Sequence, residues 1–187
     1  MIIDQYKTIF IHIPKNAGTS IRNYFNIAIS SIIKYSIKKH DTVYDIKKKI
    51  RDSRRLYNRF AIVRNPYDRM ISWYSFLKLW NKNNKKNTVN FDLWIKDPIK
   101  ESCENWLLVH KNFLLKPQHE WIDETVTILK YENLNKELNK FFEKKINLPT
   151  VNKTEHEHYL EYYNEESLNI VYNRFKKDFE KFNYNKL

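Results

Sequence analysis

The sequence predicts an α/β fold in which a mainly parallel β-sheet is flanked by helices, and three observations lead there. Two strand-like runs, residues 8–13 (TIFIHI) and 60–63 (FAIV), each lead directly into a helix-start signal. A third run, residues 125–131 (TVTILKY), turns into another stretch with apolar residues at helical spacing. Strands that alternate with amphipathic helices are the pattern of crossover-connected parallel sheets.

The first run is β-branched, aromatic and alternating, as a strand should be. It is followed by Pro14-Lys15-Asn16-Ala17-Gly18-Thr19-Ser20, which holds the only glycine of the chain. A lone Cβ-free position between a Lys and a Thr-Ser pair indicates backbone that must approach something closely. Beyond it Ile21, Phe25, Ala28, Ile29, Ile32 and Ile33 recur at helical spacing, which predicts an amphipathic helix over residues 21–33. A strand-to-helix loop with unpaired first-turn N–H groups, a Lys and two hydroxyls is an anion cradle. It is not a Walker A loop, in which the Lys directly precedes the Ser or Thr that holds magnesium. Taken alone, the stretch also fits an ordinary turn bearing an exposed Lys.

Residues 34–55 are polar and basic, with Asp41 or Thr42 placed to cap a short helix carrying Val43, Ile46 and Ile50. His40 then falls on the loop leading into that helix. The run at 60–63 is apolar throughout and bounded by charge, the pattern of a strand buried on both faces. It leads into Arg64-Asn65-Pro66-Tyr67-Asp68-Arg69, where Asn65 is an N-cap, Pro66 suits the first helical position and Asp68 complements the dipole. Arg69 and Ser72, three apart, share a helix face. Loops at the carboxyl ends of parallel strands lie together and bind ligands in the crevice between them. A ligand with two anionic groups suits this arrangement, one group at Lys15 and the other at Arg64 and Ser72.

Residues 77–90 are rich in Lys and Asn and are expected to form a mobile helix end and a surface loop. Helices are expected over 91–95 and 105–115, from Leu134 onward, and over 165–182, with residues 146–154 as loop. The aromatic stripe of the last helix is expected to be core. Neither an internal repeat nor a linker divides the chain, so a single domain over residues 1–187 is expected.

Composition sets the outer limits. The chain has 187 residues and a formal charge of +12, which favours anionic partners. Its excess of Lys, Asn and Ile gives that charge little weight in choosing among them. A single cysteine, Cys103, excludes an internal disulfide and a multi-thiolate metal site. No apolar run reaches membrane-span length, and no signal peptide is expected ahead of the first strand. A cytoplasmic protein without integral membrane contact is expected.

The two loops resemble a known family: the sequence looks like a carbohydrate-modifying sulfotransferase, dependent on 3′-phosphoadenosine 5′-phosphosulfate. Residues Pro14 to Ser20 resemble that family's loop for the 5′-phosphosulfate. Arg64 to Arg69, with Ser72 and Tyr74, resemble its 3′-phosphate segment, in which the first Arg and the Ser hold the phosphate. Weaker likenesses follow in the family's order. Ile128 to Leu134 are similar to its third strand and turn, Asn152-Lys153-Thr154 to the late loop that closes over the nucleotide, and Asp178 to Tyr184 to its closing helix. The resemblance implies a three-layer, P-loop-NTPase-like fold. It implies nucleotide contacts from Lys15, Asn16, Ala17, Gly18, Thr19, Ser20, Arg64, Ser72 and Lys153, and a bound product, 3′-phosphoadenosine 5′-phosphate.

Sulfuryl transfer needs a positioned donor, a stabilised leaving oxygen and a base for the acceptor hydroxyl. Lys15 suits the leaving-group charge, and no metal is expected. His40-Asp41-Thr42 resembles the His-x-Thr element of bacterial and Golgi relatives, which makes His40 the expected base, with Glu104 and His110 in reserve. His12 is expected to be a packed core residue. His156 and His158 lack a third metal ligand at useful spacing, and Gln118 and His119 suit either an acceptor pocket or an exposed loop. The expected acceptor is a glycan hydroxyl, with no nucleic acid. No membrane anchor like that of animal Golgi relatives is expected, and a bacterial, phage or viral origin is expected with it. A P-loop kinase, a nucleic-acid-binding module and a non-catalytic nucleotide-binding relative are the alternatives.

Overall fold

A computed structural model describes residues 1–27, 36–149 and 157–187. The chain divides into two compact units, Met1–Arg64 with Gln118–Asn152 and Asn65–Pro117 with Lys153–Leu187.

The first unit holds a four-stranded sheet in the order β1-β2-β3-β4. Strand β1 (Ile2–Ile3) runs antiparallel to β2 (Thr8–Ile11), whereas β2, β3 (Asn58–Val63) and β4 (Thr127–Lys130) are parallel. Pairing of Ile11 with Ala61 and of Val63 with Lys130 sets the carboxyl ends of the three parallel strands side by side. Both faces of the central strands are buried: Ile9, Ile11, Ala61 and Val63 point one way, Phe10, Phe60 and Ile62 the other. The second set packs with Leu129, with Ile21 of helix α1 (Gly18–Tyr24) and with Leu138 of helix α6 (Leu134–Phe142). Each fully buried side chain of this size contributes roughly 1.5–3 kcal/mol. Helix α2 (Val43–Lys49) starts on a capping box, in which Thr42 Oγ1 accepts from Asp45 N–H and the Asp45 carboxylate accepts from Thr42 N–H.

The expected helix over 21–33 is shorter. Helix α1 stops at Tyr24, and Asn26 follows in the left-handed conformation with φ 46°, which ends helical pairing. Ala28, Ile29, Ile32 and Ile33 lie outside the described residues.

The second unit is helical: α3 (Pro66–Asn83), α4 (Phe91–Lys96), α5 (Glu104–Leu114) and α7 (Glu165–Phe182). The Asn65 side chain caps α3 by accepting from Tyr67 N–H at 2.9 Å, with Pro66 in the first position. Helix α3 ends at Asn83 and a loop follows to Asn90, which agrees with the helix end and surface loop expected over residues 77–90. Leu77 is fully buried and anchors this last part of the helix to the core. The aromatic stripe of α7 is core, as expected: Val171, Phe175 and Phe179 pack with Tyr67 and Met70 of α3. The helix is kinked at Phe175 (φ −117°, ψ 22°).

A candidate active site at the tips of the parallel strands

The loop after β2 is held in an unusual backbone conformation. Lys15 and Ala17 are left-handed, with φ of 71° and 57°, and neither is glycine. Gly18 itself has no positive φ. Its missing side chain serves a different purpose, because a Cβ at Gly18 would lie 1.7 Å from Nε2 of His12. The close approach expected of this glycine is therefore made to a ring of the protein's own strand end. Left-handed residues followed by the helical Gly18 form the backbone pattern of an anion-binding concavity. The first helical hydrogen bond runs from Ile21 N–H to the Ala17 carbonyl at 3.1 Å, so the N–H groups of Gly18, Thr19 and Ser20 precede it.

Arg64, at the tip of β3, reaches across to this loop. Its Nη1 donates to the Lys15 carbonyl at 3.3 Å, and its guanidinium lies 4.2 Å from the ring centroid of Tyr131, at the tip of β4. All three parallel strands thus contribute to one cluster. Burial, then the charges of Arg64 and Lys39, lower the Lys15 ammonium from 10.5 to about 7. Burial and the charge of Arg22 lower Lys39 as well. Cations crowded at this end of the sheet form a field that favours an anion.

Gln118 braces the cluster. Its side chain is fully buried; Nε2 donates to the Arg64 carbonyl at 2.8 Å, and Oε1 accepts from Arg64 N–H at 3.0 Å and from Asn16 Nδ2 at 2.7 Å. Asn16 Nδ2 also donates to the Ile62 carbonyl at 2.7 Å. One amide therefore ties the β2 loop to the end of β3. The expectation of Gln118 in an acceptor pocket or on an exposed loop is corrected by its complete burial. The Asn16 side chain, expected at the nucleotide, is committed to the same brace.

His40 lies on the turn before α2, as expected, and is half-buried. Its Nδ1 is 3.2 Å from the His12 carbonyl, and its ring centroid lies 4.4 Å from that of His12 and 6.3 Å from that of Trp121. Asp41 accepts from Lys38 N–H and pairs with Lys49, which fixes the turn carrying His40.

A model of the Sulfotransferase family matches residues 1–105, a span that includes the β2 loop, His40 and Arg64. The chain belongs to the sulfotransferase family. Sulfuryl transfer in general is the chemistry of that family, and it requires a sulfate donor and a hydroxyl-bearing acceptor. No curated protein and no solved structure gives a significant match to this sulfotransferase.

The remaining expected site residues of the sulfotransferase are placed as follows. Thr19 and Ser20 open α1, and Ser20 is buried. Ser72 is buried in α3, in the second unit. On the same helix Arg69 is committed to structure, donating to the carbonyls of Lys116 and Phe113 at 3.1 and 3.4 Å. Glu104 is exposed at the start of α5, and His110 packs among Trp73, Phe76 and Trp106. His119 is half-buried in the turn after Pro117. Lys153 and His156 lie outside the described residues, and His158 caps the turn Tyr159–Tyr162. Among the described residues no cluster of His, Cys, Asp and Glu could hold a metal ion, and no helix is long and apolar enough to cross a membrane.

The bracing role of Gln118 is what sequence reasoning missed, and replacing this residue has a definite expected cost. Gln118→Leu leaves the Arg64 N–H, the Arg64 carbonyl and one Asn16 donor bond unmet in a buried place, at about 1–3 kcal/mol per orphaned group. A loss of about 3 kcal/mol or more is expected in urea unfolding. A loss below about 0.5 kcal/mol would show that the brace is dispensable.

Proposed function

We propose that this sulfotransferase moves the sulfuryl group from 3′-phosphoadenosine 5′-phosphosulfate to a hydroxyl acceptor, most simply a carbohydrate hydroxyl given the family resemblance, by in-line displacement within a single catalytic domain. The observation that carries the reading is the meeting of Lys15 and Arg64 at neighbouring strand tips, where Arg64 donates to the Lys15 carbonyl and where burial first, then the Arg64 charge, depresses the Lys15 ammonium. The acceptor oxygen bonds to sulfur as the sulfur–oxygen bond to the 5′-phosphate breaks. Lys15 meets the negative charge that develops on the departing phosphate oxygen. His40 takes the acceptor's proton at Nε2. The loop amides of Ala17, Gly18, Thr19 and Ser20 hold the 5′-phosphate, Asn16 shapes the loop from below, and Arg64 holds the 3′-phosphate. The reading assigns leaving-group charge to Lys15 and invokes no metal. Nucleotide contacts from Ser72 and Lys153 rest on the motif likeness alone.

The test is transfer of a labelled sulfuryl group to a panel of sugar hydroxyls in the presence of EDTA. A general base contributes about 10²–10⁴-fold. His40→Ala is therefore expected to lower turnover at least 100-fold while leaving stabilisation by 3′-phosphoadenosine 5′-phosphate intact. Unchanged turnover in that variant would remove His40 as the base.

A further inference from the structure

We propose that the His12 imidazole is a positioning residue for transfer, a spacer that fixes His40 relative to the Gly18 end of the donor loop and in the tautomer whose lone pair sits on Nε2. The inference rests on the assignment of His40 as base. Three separate observations support it.

The first is the tautomer. A carbonyl oxygen only accepts, so the 3.2 Å approach of His40 Nδ1 to the His12 carbonyl places the proton on Nδ1. The basic nitrogen of neutral His40 is then Nε2. The second is the wedge itself. The His12 ring is 4% exposed, lies 4.4 Å from the His40 ring between centroids, and occupies the space a Cβ of Gly18 would need. One ring therefore touches both the donor loop and the base, and a shift in it moves both.

The third is chemical. His12 Nδ1 is buried with no hydrogen-bond partner among the described residues. An apolar ring would fill the wedge without that cost, so packing alone does not account for an imidazole. The charged and titratable groups that act on His12 are His40, Lys39, the Met1 amino group and Arg22, all cationic or able to become so, and Phe10 stacks on its ring. Burial first, then those charges, hold His12 well below the ordinary histidine value. His12 therefore stays neutral when His40 becomes imidazolium, and its own ring adds no positive charge against the proton transfer.

The experiment compares wild type, His12→Ala, His12→Asn and the double variant His12→Ala with Gly18→Ala. Single-residue ¹⁵N spectra of the imidazoles are expected to show His40 in the Nδ1–H form in wild type and a tautomer mixture in His12→Ala. Turnover in both single variants is expected to fall at least 10-fold, with the donor KM within about threefold of wild type and a shifted acid limb of the pH profile. The double variant should recover the thermal stability lost in Gly18→Ala alone without recovering turnover. Wild-type turnover and an unchanged His40 tautomer in a folded His12 variant would overturn the proposal. Wild-type turnover in His40→Ala would instead overturn the base assignment and this proposal together, so the two failures are distinct.

Discussion

Gly18→Ala is expected to destabilise the protein by about 3 kcal/mol, the upper end of the usual range for overpacking a filled interior. Two effects compete at this position. Gly18 opens helix α1, where alanine is ordinarily the better residue by roughly 0.5–1 kcal/mol, and its φ is one that alanine adopts without strain. Propensity alone therefore predicts a gain. Against it stands a methyl group placed 1.7 Å from His12 Nε2, on a ring enclosed by Phe10 and His40. The ring cannot swing aside without displacing His40, so the steric term wins. At about 2–4 °C per kcal/mol for a chain of this length, the melting temperature should drop by about 6–12 °C. An increase in melting temperature would mean that His12 has somewhere else to go.

Lys15→Met carries the second large effect. Removal of one preorganised electrostatic contact to a developing oxyanion costs about 10²–10³-fold in turnover, and most of the stabilisation by nucleotide should vanish with it. The pH dependence follows from the depressed ammonium. Between pH 7 and 10.5 an unfolded Lys15 is protonated and the folded one largely is not, so the unfolded chain binds more protons and Lys15 makes stability rise with pH across that window. Below pH 7 both states are charged, and the folded protein bears the full cost of that charge beside Arg64 and Lys39. Lys15→Met should therefore be more stable than wild type at pH 6, with the advantage shrinking as pH rises. An anion that binds at Lys15 raises its pKa again. Calorimetric titrations near pH 8 in buffers of different ionisation enthalpy should show proton uptake in wild type and none from this group in Lys15→Met.

The strand-loop-helix units were legible because they are local. The alternation at residues 8–13, the continuous apolar run at 60–63 and the Asn65-Pro66 start of α3 each state their structure within a few residues. The capping box at Thr42 was legible for the same reason. Strand β1 was missed because two residues, Ile2 and Ile3, cannot display a period. The role of Gly18 was half legible: close approach was evident, but its object was a ring six residues upstream. Gln118 was illegible, since a buried amide joining residues 54 and 102 positions away in sequence has no local signature. Its nearest signal was negative, a polar residue directly after Pro117, at the start of a turn that ends in the buried Trp121. The surroundings of His110 were illegible because an isolated histidine in a helix does not announce the tryptophans packed around it.

The central claim is that the cluster at Lys15 and Arg64 holds a 3′,5′-bisphosphorylated adenosine without a metal. Its most direct test is the change in melting temperature with 3′-phosphoadenosine 5′-phosphate and with ATP, each measured with EDTA and with magnesium. At 100 times Kd the bisphosphate should add about 2.7 kcal/mol of stability, equally with and without the metal, and the effect should be lost in Arg64→Ala. ATP at the same concentration should add much less. An ATP shift as large as that of the bisphosphate and dependent on magnesium would contradict the account and favour a kinase-like enzyme.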